Sequence, residues 1–317
     1  MNVVRRLSIG ITLKWLATAL IIGAVLLFVN GETLISEVMR IPPVAIATGL
    51  GLGVGQVFLS AWRWKYTASL VGLQIPYMRA VREYYLATFT NQVLPGGVLG
   101  DVNRALRHGA DSRSRVAAAH AVAIERLSGQ VVLAVVVVSG LAWLFYTGRV
   151  VGGERPDADS LPHVCWLFAV IAALILPGWF LVRKSERVSG YFVRLRGDLA
   201  KALFSWPALP VQVVTSLLVI ASYLAVFIVL ANGADYIVDL PSGMVVTALC
   251  SLLLLSMVVP LTVSGWGVRE GAAVILWPMV GLPSEQGVAL SVTYGALIFI
   301  SSLPGALFLF SSLAGRR

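Results

Sequence analysis

The stretch "NQVLPGGVLGDVNRALRHGA", Asn91 to Ala110, decides how the rest of the chain is read. It holds too many glycines for a stable helix and too many charges for a membrane span, yet apolar segments surround it. Pro95 ends one helix, Gly96 and Gly97 admit backbone conformations closed to other residues, and Gly100 and Asp101 open the next helix. The segment before it, "YMRAVREYYLATFT", and the segment after it, ending at Arg115, both border basic stretches. The whole region therefore begins and ends on one side of a membrane, which is the behaviour of a re-entrant element. Non-helical backbone at that depth is tolerated only where it is buried in protein or lines a wet cavity.

Composition supplies the membrane. Of 317 residues, 58% are hydrophobic and 12% charged, a balance foreign to soluble domains. Apolar runs near 16–29, 44–62, 127–146, 164–182, 211–231, 244–260 and 287–313 approach or exceed the roughly 20 residues that cross a bilayer, and 268–280 is a shorter one. The connections alternate in charge. Asn30–Arg40 has two Glu against one Arg, whereas Arg63–Glu83 has Arg63, Lys65, Arg79 and Arg82 against Glu83. Thr147–His163 is slightly acidic, Arg183–Lys201 is strongly basic, and Asn232–Gly243 carries only Asp235 and Asp239. Basic loops mark the cytoplasmic side. This predicts an all-α polytopic bundle of about eight crossings with two re-entrant or broken helices, in the inner membrane, with both termini cytoplasmic. The first apolar run reads as a retained helix, because no small-residue cleavage site follows Val29. No hydrophilic stretch is long enough for a soluble domain, so residues 1–317 read as one membrane domain.

A second interruption, "VVPLTVSGWGVREGAAV", lies at Val258–Val274, with Gly265 and Gly267 flanking Trp266 and an Arg269–Glu270 pair behind them. Paired Gly/Pro-broken segments in two halves of a membrane protein point to a transporter's binding site. Asp101 and Arg104, three apart, share a helix face, with Arg107 and His108 on the neighbouring strip. Two readings of Asp101 stand open: a helix cap paired with Arg104, or part of an anion site at a helix start. Glu125–Arg126 in "AVAIERLSGQVV" is interfacial if the span begins at Leu127, and deep if it begins near Val116. Asn91, Asp101, Arg104, Glu125, Arg126, Arg269 and Glu270 are the candidate substrate-binding residues, with Arg269 first for an anionic headgroup and Glu270 its counter-charge. In Arg183–Trp206, Phe192, Leu195, Leu199 and Leu203 share one helical face, opposite Arg194, Asp198 and Lys201, as in a helix lying on the membrane surface.

Catalytic patterns are missing. His108, His120 and His163 are scattered, Cys165 and Cys250 have no metal spacing, and there is no HExxH, P-loop or G-x-S-x-G. No cofactor, metal or nucleic-acid partner is expected, since the charge of +9 is distributed by loop.

"NQVLPGGVLGDVNRAL", "IERLSG" and "PLTVSGWGVREGA", in this order and spacing, make the chain similar to a known family. It resembles the transmembrane region of lysylphosphatidylglycerol synthases and the stand-alone flippase-like proteins related to it, over almost the full length. The resemblance implies an eight-helix protein with re-entrant elements that moves lipids between leaflets. Many relatives have Arg and Glu where this chain has Gly97 and Asp101, which brings it nearer the stand-alone branch associated with lipid-linked sugar or hopanoid-type pathways. No aminoacyltransferase domain is expected on this chain.

The leading expectation is a flippase- or scramblase-type transporter of a phospholipid or a polyprenyl-, glyco- or hopanoid-type lipid, its anionic or zwitterionic headgroup held between the two breaks. Two rivals remain: a membrane transferase on a lipid-linked phosphate with Asp101 or Glu125 as base, and a non-transporting partner of a lipid-modifying enzyme. Membrane lipids are the expected partners, and a homo-oligomer is compatible with the sequence.

Overall fold

The computed structural model describes residues 2–94, 97–111, 114–150, 186–258 and 262–314. Among them every regular element is helical. The chain runs through α1 (Asn2–Phe28), α2 (Gly31–Met39), α3 (Pro43–Leu70), α4 (Tyr77–Val93), α5 (Leu99–Asp111) and α6 (Arg115–Tyr146). It continues through α7 (Glu186–Leu199), α8 (Ala208–Gly233), α9 (Leu240–Ser256), α10 (Val268–Leu276), α11 (Ser284–Ser302) and α12 (Pro304–Ala314).

Four stretches are long and apolar enough to cross a membrane: Pro43–Leu70, Arg115–Tyr146, Ala208–Gly233 and Ser284–Leu309. The bent pair Thr12–Phe28 and Gly31–Met39 is a fifth candidate. The expected eight crossings are therefore not reached among the described residues, and the run at 164–182 lies outside them. The run expected at 244–260 is shifted four residues toward the N-terminus at the same length, and the one expected at 268–280 is shortened, its helix ending before the turn at Pro278. α9 has 17 residues, about 25 Å at 1.5 Å per residue, and α10 has nine.

The acidic connection after the first span is itself a helix. Asn30 caps α2, its side-chain oxygen accepting the backbone N–H of Glu32 at 3.0 Å and of Thr33 at 3.1 Å, and α2 leaves α1 at 95°.

The opening stretch forms a helical hairpin. Glu83 meets Arg107, the backbone of Ala87 lies against Gly100, and Asn91 meets Asp101, so α4 and α5 run antiparallel and the chain returns toward the side it came from. A Cβ at Gly100 would overlap the carbonyl of Ala87, so a glycine here lets the two backbones touch. Gly97 turns the corner with φ of +61°. Pro95 and Gly96 lie outside the described residues. Beyond the second break the chain turns back again, at 277–283. Arg269 meets Ser291 and Trp277 packs on Gly287, so α10 runs back along α11.

α3 is central, packing on α8, α4, α6 and α11. Its contact with α8 is a polar seam. Gln56, Ser60, Arg63 and Thr67 recur at helical spacing and all are buried. Gln56 donates to the Ser222 carbonyl at 2.9 Å, Arg63 to Ser216 at 3.0 Å, and Gln212 to Thr67 at 2.8 Å. In lipid, where apolar burial drives helix association weakly, such bonds fix the register of two spans.

The amphipathic segment at 183–206 contains α7, but its polar face is not wholly outward. Arg194 and Arg196 are exposed, whereas Asp198 reaches the buried His120 of α6, Oδ2 to Nδ1 2.6 Å. A carboxylate and an imidazole gain more from each other than Asp198 gains from water at the rim, which ties the connector to the bundle.

Candidate functional site

Four helices of the first half each send charge or a ring to one place. α6 starts at Arg115, where Ser114 caps it through the N–H of Ala117 at 3.2 Å. Glu125 thus lies ten residues into the helix, roughly 15 Å along its axis. It is fully buried inside the bundle. Around it the ionised groups form an alternating chain. Arg126 donates to Asp101 at 2.8 Å, Asp101 also accepts from Arg104 at 2.8 Å, Arg104 donates to Glu125 at 3.0 Å, and Glu125 accepts from Arg63 at 2.5 Å. Each carboxylate sits between two guanidiniums, and Arg104 is shared. Tyr84 adds a hydroxyl donor to Glu125 at 3.3 Å.

Arg104 is held from its faces as well. Its guanidinium carbon lies 4.5 Å from the ring centres of Trp64 and of Tyr84, an aromatic sandwich that stabilises a buried cation. An unpaired charge in this setting would cost several kcal/mol, and the alternation of signs is what offsets it.

α5 is amphipathic in the sense opposite to a soluble helix. Asp101, Arg104 and His108 face inward, while Val102 and Leu106, and Val98 just before the helix, are exposed at intervals of four residues, Val102 at 51% and Leu106 at 62%. A helix that hides its charges and shows its aliphatic side chains suits a hydrocarbon surroundings.

Beside this chain of charges lies a cavity of about 630 Å³, within the roughly 300–1,000 Å³ of small-molecule sites. Arg63, Asp101 and Arg126 open onto it, with Asn91, Gln92, Gln130 and Tyr223 among its polar lining and Val98, Val102 and Leu106 on its apolar side. Arg104 and Glu125 stand behind that lining. Arg126 is the accessible cation, its side chain 37% exposed.

Both breaks reach the cavity. Gly97 and Asp101 come from the first, Thr262, Ser264 and Gly265 from the second, and the two touch where Ser264 donates to the Gln92 side-chain oxygen at 2.6 Å. The first break's helix start is not an open anion cradle, because Asn91 accepts the Gly100 N–H at 2.7 Å and donates to Asp101 at 3.3 Å. Asp101 also pairs with two arginines, so capping and charge pairing coexist.

Arg269 and Glu270 are placed elsewhere. They are buried and satisfied by their own surroundings. Arg269 donates to Glu270 at 2.8 Å and to Ser291 at 2.6 Å, Ser291 donates to Glu270 at 2.7 Å, and Glu270 accepts the Gly267 N–H at 2.6 Å. The guanidinium carbon is 5.3 Å from the Trp266 ring centre and 5.5 Å from that of Tyr294. Tyr294 lines the cavity and Arg269 lies behind it. Gly267, with φ of +87°, and Gly265, with φ of +79°, make the bend this carboxylate closes.

The residues sequence reasoning missed are Arg63, Trp64, Tyr84, Ser216 and Tyr223. Arg63 was expected in a cytoplasmic basic loop, because the apolar run stops at Trp62. The structure carries the helix to Leu70 and buries Arg63. The stripe Gln56, Ser60, Arg63 and Thr67 could have shown this, since polar groups at helical spacing in a span face protein rather than lipid.

A bundle of membrane-crossing helices, two of its segments broken beside an internal cavity onto which Arg63, Asp101 and Arg126 open, defines a polytopic integral membrane protein. Its residues 14–305 match the family described as lysylphosphatidylglycerol synthase TM region, and the chain belongs to that family. A search of curated proteins gave no match.

Proposed function

We propose that this protein moves a phospholipid or lipid-linked molecule between the leaflets of the cytoplasmic membrane, both of its termini lying on the cytoplasmic side. The headgroup would lie in the cavity against Arg126, Asp101, Arg63 and Asn91, while the tails pass along Val98, Val102 and Leu106. The observation that carries this reading is the juxtaposition, on α5, of a buried charged face with an exposed apolar one beside the same cavity. Arg104 and Glu125 would hold the lining arginines in place. Arg269 and Glu270 would shape the second break and act on the headgroup only through Tyr294.

A transferase would need a carboxylate free to take a proton. Asp101 and Glu125 are each held by two arginines, which favours binding over base catalysis. The driving force of such movement would be a lipid gradient, an ion or the membrane potential.

The test is leaflet exchange of tail-labelled lipids in liposomes containing the purified full chain. Exchange well above protein-free vesicles, and lost in Arg126→Gln, is the expected result. Wild-type vesicles that exchange no phospholipid or polyprenyl-phosphate, yet modify one when given a donor, would favour the transferase.

A further inference from the structure

The charges around the cavity do not cancel. Three guanidiniums, Arg63, Arg104 and Arg126, face two carboxylates, Asp101 and Glu125, in the sequence plus, minus, plus, minus, plus. Both ends of that chain are positive and both open onto the cavity. The surplus is one positive charge, and the described lining gives the same count, because its only Asp, Glu, Lys or Arg residues are Arg63, Asp101 and Arg126. Two further ion pairs, Arg269–Glu270 and Arg107–Glu83, are each neutral and lie outside the described lining.

Resting on the transport reading above, we infer that the site selects a headgroup with one net negative charge, a phosphate monoanion or diester with a small neutral polar substituent, and rejects a net-cationic, aminoacylated one. A single surplus charge in a low-dielectric site is completed by one opposite charge and aggravated by a like one. Two unit charges ~6 Å apart at an effective dielectric of ~20 interact with an energy equivalent to about a hundredfold in binding. Water in the cavity lessens this, so the contrast between headgroups of opposite sign is about tenfold or more. The surplus is carried to the ligand by Arg126, the one of the three arginines that is substantially exposed. Gly129 leaves the space that Arg63 fills, a Cβ there standing 3.3 Å from both of its terminal nitrogens, so Arg63 is fixed while Arg126 is free to adjust.

The experiment compares three tracers with identical tails in liposomes of neutral lipid: phosphatidylglycerol, phosphatidylcholine and lysyl-phosphatidylglycerol. Exchange is measured together with equilibrium binding of their short-chain forms to the full chain in detergent. Phosphatidylglycerol is expected to bind about tenfold or more tightly than the lysyl form, with phosphatidylcholine between. Arg126→Gln levels the three, Arg126→Lys keeps the order, and Arg40→Gln, which removes an exposed arginine paired with Glu37, keeps it too. Charge-ordered binding without any exchange upholds the selectivity and sinks the transport reading. Exchange with no charge order does the reverse. A lysyl form that binds as well as phosphatidylglycerol overturns the inference. Displacement of the short-chain lipid by an equal concentration of inorganic phosphate would also overturn it, marking a site for free anions.

Discussion

The two breaks have nearly the same composition, a proline, a glycine cluster and an arginine beside an acid, and they do different work. At the second, Arg269, Glu270 and Ser291 close on one another and on the Gly267 N–H, leaving a neutral, buried knot. At the first, Asp101 cannot close its own pair, because Arg104 is drawn on to Glu125 and Arg126 comes in from α6. The charge spreads over α3, α5 and α6 and ends at a cavity. Equal residue types thus yield a closed brace in one place and a charged cavity wall in the other, and the deciding factor is how many helices share the charge.

The sharpest way to break that contrast is at the junction. Glu125→Gln strips the carboxylate that two arginines share and leaves both buried cations underpaired, so a loss of about 3–5 kcal/mol is expected, read as a large fall in Tm in detergent. Arg269→Met should cost about 3 kcal/mol, since it leaves Glu270 buried with Ser291 and one N–H. Unlike Glu125→Gln, it should spare lipid exchange per folded molecule. If it abolishes exchange at unchanged Tm, the second break is a binding site and the contrast fails.

Two glycines give a smaller, paired test. Gly100→Ala puts a methyl into the Ala87 carbonyl and should destabilise by about 1–3 kcal/mol. Gly271→Ala in α10 meets nothing closer than 3.8 Å and should change Tm little or raise it slightly. The smallest effect on stability is expected for Arg126→Gln, under about 1 kcal/mol, because its side chain is partly exposed and its loss leaves Asp101 paired with Arg104. That variant should keep its Tm and lose exchange, the signature of a residue kept for binding.

Much of this arrangement was legible in the residues. The breaks were, because proline and glycine act locally, whereas the burial of Glu125 stayed open until the helix start at Ser114 was seen. Arg63 was not, because hydropathy reads a charge at the end of an apolar run as the membrane rim, and only the stripe from Gln56 to Thr67 says otherwise. The surroundings of Arg269 were not legible either. Neighbouring positions about 100° apart on a helix showed only that Arg269 and Glu270 cannot both face lipid, whereas the bond of Arg269 to Ser291, 22 residues away, depends on tertiary packing. The bond between Gln92 and Ser264, which joins the breaks across 172 residues, has no local signature at all.

The central claim, that the first break faces lipid headgroup and tail while the second braces it, is tested most directly by a phospholipid carrying a photoreactive group near its phosphate. After illumination of the full chain in liposomes, adducts mapped by mass spectrometry should fall on residues 97–106 and 119–130 and be lost in Arg126→Gln. Adducts concentrated on α10, residues 268–276, and unchanged in that variant would contradict it.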